Sequence, residues 1–307
     1  MAALRGKALV AYLLVCVFWG STYLAIRIGV AALPPFLFAG TRFLVAGLLL
    51  LGGALAFGER LPRRARDWGV LAVVGLLLLA GGNTFVVWAE QFTPSGVASL
   101  FVVTVALWMA VFDALLPGGS GRLSWRVVAG LLLGLVGTAL LVEADPRSLV
   151  HADLRGPIAL TGASASWALG SVYYRRLQPE AGPYVGAAIE MVAGGVVVVV
   201  LGLATGEAQA VHLTARGLGA LAYLVVFGSI VGYTAYAYAL HHAPATIVGT
   251  YAYVNPLIAV LLGWLLLGEH VGPRTFAAMA LILGAVLWIQ VSHAAAVRRE
   301  AQAPASE

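Results

Sequence analysis

The sequence predicts an all-α integral membrane protein, with ten transmembrane helices arranged as two inverted five-helix repeats around a central cavity. Three observations carry this expectation. Of the 307 residues, 61% are hydrophobic and 10% charged, far below the roughly 25% charged share of soluble domains. The apolar residues fall in ten blocks long enough to span a bilayer. The chain also matches itself at several local features when slid by 150 positions.

The blocks run approximately over residues 8–31, 35–57, 67–90, 94–116, 124–142, 155–177, 183–204, 214–240, 244–267 and 273–292. At about 1.5 Å per helical residue, such blocks cross the roughly 30 Å of a hydrocarbon core. Barrel strands would alternate in polarity, whereas VVGLLLLA and MVAGGVVVVVLGL are apolar all round, so the spans are helices. The first block follows Arg5 and Lys7. With nine spans behind it, it reads as a retained span rather than a removed signal. The fifth block is followed by the longest polar break, EADPRSLVHADLRG, taken as an external linker. The organisation is therefore a first five-helix repeat over 8–142, a linker over 143–156, a second repeat over 157–292 and a cytoplasmic tail over 293–307. Lone Cys16 makes no internal disulfide, and Val15 stands where a lipoprotein signal would want a small residue.

The net charge of +5 sets orientation rather than nucleic-acid binding. With a cytoplasmic N-terminus, the inner ends hold Arg5, Lys7, Arg60, Arg63, Arg64, Arg66, Arg122, Arg126, Arg175, Arg176, Arg298 and Arg299. The outer loops then hold Arg147, Arg155, Arg216 and Arg274. The positive-inside rule places both termini in the cytoplasm.

The self-match at 150 puts Gly20, Ser21 and Tyr23 on Gly170, Ser171 and Tyr173, Trp88-Ala89 on Tyr238-Ala239, Pro94 on Pro244, Phe101 on Tyr251 and Gly134 on Gly284. Because five is odd, a second copy joined by short loops crosses the membrane in the opposite sense. Inverted repeats place a substrate site at their interface near mid-membrane and let it open to either side in turn.

The segments WGSTYLAIRIG and PPFLFAGTRFLVAG in the first two spans, WAEQFTPSGVASL joining the third and fourth, SASWALGSVYYRR in the sixth and YAYVNPLIAVLLGWLLLGE in the ninth resemble the drug/metabolite transporter superfamily, and its EamA-type exporters in particular. The likeness covers about residues 10 to 292. It implies a multi-pass carrier of the bacterial inner membrane that exports amino acids, other metabolites or toxic compounds. It also implies that helices 1, 3, 4, 6, 8 and 9 surround the cavity, and that the protein is no enzyme and uses no cofactor. One departure is the ninth span's Asn255-Pro256-Leu257, opposite which the fourth span has Val105-Ala106-Leu107. Identical bending of the two spans is not expected on that account.

Ionisable groups within spans are costly and therefore candidates for function. Arg27 lies within about two turns of the outer surface and reads as a snorkelling anchor or a pathway charge. Arg42 and Glu190 each follow a span-opening proline by seven residues, which leaves roughly 10 Å of depth between them and argues against a direct ion pair. Arg42 suits attraction of a carboxylate or a contact to backbone carbonyls, and Glu190 a proton carrier or a packed neutral carboxyl. Polar and aromatic stripes at helical spacing mark candidate substrate-binding residues. These are Trp19, Thr22 and Tyr23 in the first span, Trp88 in the third, Thr104 and Trp108 in the fourth, and Trp167, Ser171 and Tyr174 with Ser164 in the sixth. The eighth span adds Tyr233 and Tyr236 with Ser229, and the ninth Tyr251 and Asn255.

Packing and interface belts explain many Ser, Thr, Trp and Tyr residues in membranes. Trp68, Trp125 and Trp288 sit at span ends and fit a belt, whereas Trp108 and Trp167 lie deeper and fit a cavity. Asp113 and the His241-His242 pair read as structural or interfacial, and Glu269 matches the family's Gly-Glu ending of the ninth span, as a gate or a helix terminus. The expected partner is a small amphiphile, an amino acid or similar, within a lipid bilayer. Efflux of hydrophobic cations is the alternative. A lipid-modifying enzyme using Glu190 and Arg42 is a distant third, because metal, nucleophile and phosphate-loop signatures are all missing.

Overall fold

The computed structural model describes residues 6–116, 153–242 and 251–281, with isolated positions between 125 and 140 and between 283 and 288. The linker as far as residue 152, most of the fifth span and the end of the tenth lie outside the described residues. Within them the chain is helix and turn, with no strand.

Helix α1 covers Lys7–Val30 and α2 Pro35–Ala56. The first-turn proline of α2 has no N–H to leave unpaired and a φ suited to starting a helix. Helix α3, Ala65–Gly75, runs through a π-helical stretch at Leu76–Asn83 into α4, Thr84–Ala89, so that the three form one span. Helices α5, Ser95–Val103, and α6, Val105–Leu115, form another, interrupted at Thr104. Helix α7 is Arg155–Leu177 and ends on left-handed Gln178, and α8 is Pro183–Ala204. Helix α9, Ala215–Tyr223, is capped by Thr214, whose hydroxyl accepts from Gly217 N at 3.0 Å. It continues through a second π-helical stretch, Leu224–Val231, into α10, Gly232–His242. Helix α11, Tyr251–Leu267, carries Pro256 without a break. Among the described residues, five stretches are long and apolar enough to cross a membrane: Lys7–Val30, Pro35–Ala56, Ala65–Ala89, Pro183–Ala204 and Ala215–Tyr236.

The order of elements recurs at a spacing of 148, seen in prolines 35 and 183 and in the π-helical starts 76 and 224. The spacing of 150 read from the sequence applies to the starts of α3 and α9, at 65 and 215. The difference arises because α3 has 11 residues and α9 has nine. In α1 and α7 the equivalent tryptophans are therefore Trp19 and Trp167, whereas the sequence match had paired Gly20 with Gly170.

Helices α2 and α8 pack tightly and antiparallel. A Cβ on Gly40 would sit 2.6 Å from the Val199 backbone nitrogen, and one on Gly195 would sit 2.6 Å from that of Leu44. Residues without a side chain let the two backbones touch, the usual device where lipid offers no hydrophobic drive to helix association. Phe38, Phe43, Met191 and Leu224 fill the surrounding core.

Each of these two helices is also capped by the other. Glu207, just past α8, accepts from Phe36 N (3.2 Å) and Leu37 N (2.8 Å) in the first turn of α2. Its equivalent Glu59, just past α2, accepts from Val185 N (2.9 Å) in the first turn of α8. Free first-turn N–H groups and the positive helix end both favour a carboxylate there.

The break in the fourth span answers the missing proline. The Thr104 hydroxyl donates to Phe101 O at 2.6 Å, and Ser164 of α7 donates to the same carbonyl at 3.2 Å. Two hydroxyls competing for that carbonyl accompany the interruption of the helix at Thr104, next to Val105-Ala106-Leu107.

The caps generate a stability prediction. Glu59→Ala and Glu207→Ala should each cost about 1 kcal/mol, in the range of lost helix caps, with Gln at either position retaining part. Unfolding temperature in detergent measures this, and the two losses should add because the caps lie at opposite ends of the pair.

A candidate substrate cavity between the halves

A cavity of about 990 Å³ lies between α1, α2, the α3–α4 and α5–α6 spans, and α7, α8, the α9–α10 span and α11. That is the size expected of a small-molecule site. Its wall reaches exposed Tyr174 and Arg175 at the end where α7 finishes and α8 begins. At the other end the bundle is shut. There Arg27 of α1 donates to the Glu90 carbonyl after α4. Glu269, after α11, accepts from Ser95 N (2.9 Å), Ser95 Oγ (2.9 Å) and Gly96 N (3.2 Å) at the start of α5.

Trp19 is the centre of the aromatic wall. Its ring meets Tyr233, Tyr236 and Tyr251 at centroid distances of 5.5, 5.1 and 4.9 Å, and Tyr236 meets Tyr251 at 5.7 Å. Edge and tilted contacts of this kind suit the charge distribution of aromatic rings. The indole Nε1 donates to Gly228 O at 3.1 Å, inside the second π-helical stretch. The first stretch offers a carbonyl in the same way, with Ser166 donating to Leu77 O at 2.7 Å. Widened π-helical turns leave carbonyls for partners on other helices, which is why such turns gather at functional sites.

Trp19 also leans on Gly232, and Trp167 lies over Gly82, whose added Cβ would stand 3.1 Å from the ring. Each half thus supplies a tryptophan that rests on a glycine of the other.

Thirteen of the expected site residues are on the wall: Trp19, Thr22, Tyr23, Arg42, Ser164, Trp167, Ser171, Tyr174, Glu190, Tyr233, Tyr236, Tyr251 and Asn255. The Thr22 and Ser171 hydroxyls donate back to Trp19 O (2.7 Å) and Trp167 O (2.8 Å), which leaves their lone pairs free to accept. The Asn255 amide, oriented with its nitrogen toward Cys16 O (3.3 Å) and Tyr251 O (3.1 Å), links α11 to α1.

Four expected residues are not on the wall, and their placement is corrected here: Trp88, Thr104, Trp108 and Ser229, the last accepting from Arg42. Trp88 packs edge-on against Phe92 (5.0 Å), Thr104 turns to its own backbone, and Trp108 stacks on Phe112 (6.0 Å). The cavity face of α6 is carried instead by Val105 and Met109. Depth in the bilayer had placed Trp108 at the right level, but it does not fix the side of the helix that a residue occupies. The side chains of Asp113, His241 and His242 lie outside the described residues.

Arg42 is 3% exposed. Its Nε donates to Ser229 Oγ at 3.0 Å and its Nη1 reaches Asn83 Oδ1 at 3.4 Å. Among the described residues no carboxylate lies within ion-pair distance of it. Glu190, its equivalent in the second half, is 8% exposed. The α2–α8 register, with Gly47 against Val192 and Gly40 against Val199, sets Glu190 about seven residues from the level of Arg42, roughly 10 Å along the axis. The depth separation expected from the prolines therefore holds, and the two side chains line one cavity at different depths.

Sequence reasoning missed Asn83, Ser99 and Thr234 on the wall, and also two buried carboxylates, Asp67 and Glu90, that lack hydrogen-bond partners among the described residues. The polar Asn83 after Gly81-Gly82 in mid-span was the available signal.

The profile of the EamA-like transporter family matches the chain twice, over residues 6–143 and 154–291. The inner membrane transporter YedA of Escherichia coli K12 is 40% identical over 274 residues, which cover 89% of this chain and 87% of YedA. A Streptantibioticus cattleyicolor protein named as a terminal-alkyne amino-acid exporter is 27% identical over 97% of this chain and 98% of its own. An amino-acid metabolite efflux pump of Salmonella typhimurium is 31% identical over 54% of this chain and 52% of its own. A chain of known crystal structure, 23% identical, shares the fold with a TM-score of 0.65 over 97% of this chain and 100% of its own. With a cavity between two matching halves and membrane-length apolar helices around it, this chain belongs to the EamA-like transporter family.

Proposed function

We propose that this protein is a secondary transporter that exports amino acids or related small metabolites across the bacterial inner membrane by alternating access. Ten spans form two inverted repeats, with both termini in the cytoplasm. The observation that carries the reading is the buried Arg42 guanidinium, which faces a ring-lined cavity and meets only neutral side chains among the described residues. A guanidinium held by neutral groups keeps its charge for an incoming carboxylate, and the aromatic wall takes an apolar side chain. The names of two relatives, which mention amino-acid export, support the same substrate class.

Antiparallel packing of the equivalent helices α2 and α8 supports inversion. The arginines of the α2–α3 connection and of the end of α7 lie at the open end of the cavity, and the positive-inside rule makes that end cytoplasmic. An inward-open cavity loads from the cell interior, as export requires. In an inverted pair the mirror arrangement seals this end and opens the other.

Efflux of hydrophobic cations is the second reading. Glu190 and the tyrosines near the mouth favour it, because ring faces and a carboxylate attract a cation.

Purified protein in liposomes should show saturable flux of one or more members of a broad labelled amino-acid panel. Flux no greater than in empty liposomes would refute the substrate class. Arg42→Ala should weaken binding of carboxylate-bearing substrates at least about tenfold, the loss expected of a charge-assisted hydrogen bond, while flux of the corresponding decarboxylated amine survives. Trp19→Ala and Trp167→Ala should abolish most transport, and Trp108→Ala should leave it near the unsubstituted level. In thermal unfolding, a true ligand at one hundred times its Kd should stabilise the protein by about 2.7 kcal/mol, and Arg42→Ala should remove that gain.

A further inference from the structure

Glu90 takes no part in the cavity wall and is 0% exposed, and neither of its carboxylate oxygens has a hydrogen-bond partner among the described residues. It stands at the C-terminal end of α4, where free carbonyls make the potential negative and repel a carboxylate. From α1, Tyr23 and Arg27 face it, and Arg27 donates to the Glu90 backbone carbonyl rather than to its carboxylate. From beyond α11 comes Glu269, which accepts from the N–H groups of Ser95 and Gly96. A second negative charge there, buried and without a donor, would cost several kcal/mol.

Asp67, buried at the other end of the same span, differs in kind. It sits in the first turn of α3, where the helix end is positive, with Arg66 at 4.0 Å. Tyr238 occupies the position equivalent to Glu90 in the second half, 148 residues on, so the second half has no counterpart of this carboxyl.

We propose that the Glu90 carboxyl is a proton-binding site that controls the closed end of the cavity. It holds its proton while Arg27 and Glu269 tie that end shut, and it releases the proton to entering water when the end opens. Because the shut form binds one more proton, acid favours closure and alkali favours opening. A proton taken up from outside would thus return an exporter to its inward-open form. The inference rests on the alternating-access reading and names the proton as the ligand that regulates the closed end.

Spin labels at Gln91→Cys and His270→Cys, exposed positions on either side of the Glu269 clasp, in a Cys16→Ser background in nanodiscs, report the width of this end without any substrate. With Glu90 present, one short distance is expected at pH 5, and a second, longer population is expected to grow by pH 9. Glu90→Gln should keep the short distance at both pH values, while Glu90→Asp, which retains a carboxyl, should restore the response and check that the site tolerates substitution. An equal pH response in Glu90→Gln, no response with Glu90 present, or opening in acid would overturn the proposal. Absence of amino-acid flux alongside an intact, Glu90-dependent response would count against the substrate class alone.

Discussion

The close crossing of α2 and α8 is the constraint on which the rest of the structure depends. Backbone meets backbone at Gly40 and Gly195, and a methyl group at either point would force the helices apart. Equivalent carboxylates, Glu59 and Glu207, fasten the two ends of the same pair. This pair joins the two halves and sets the depths of Arg42 and Glu190, one on each helix. It also fixes where the tryptophans of α1 and α7 meet the glycines opposite.

Around that pair, the polar groups within the spans are nearly all satisfied by protein rather than water, as hydrocarbon requires. The two π-helical stretches release carbonyls that Trp19 and Ser166 take up, and Phe101 O at the break in the fourth span is met by Thr104 and Ser164. These irregular stretches line the cavity or adjoin its wall. The exceptions are informative: among the described residues, Arg42 faces the cavity with only neutral side-chain partners and Glu90 is buried with no hydrogen-bond partner for its carboxylate. These are the groups whose charge is left for a ligand or a proton to answer.

Much of this was legible in the sequence because it depends on short-range rules. Span length, the prolines that open α2 and α8, and the stripes of Trp19, Trp167, Tyr233, Tyr236 and Tyr251 all follow from helical period and bilayer thickness. The depth separation of Arg42 and Glu190 followed from counting residues. What escaped depends on rotation about a helix axis or on contacts between distant segments. Trp108 was placed at the right depth but on a face that α6 turns away from the cavity. The reciprocal caps join residues 171 and 126 positions apart, and no local pattern announces them. Nothing in the apolar run LLLLAGGN marks a π-helical turn. Glu90, in the polar connection WAEQFTP, reads as an ordinary loop charge until the fold buries it.

The central claim is that a single cavity between two inverted halves opens at one end at a time. A cysteine at Ser171 on the cavity wall, in a Cys16→Ser background, tests this most directly when a membrane-impermeant maleimide is applied in turn to either face of sealed, oriented vesicles. The account predicts labelling from both faces, as each conformation is visited, and protection from both by a transported substrate. Labelling from one face only, across the full range of pH and substrates, would contradict it.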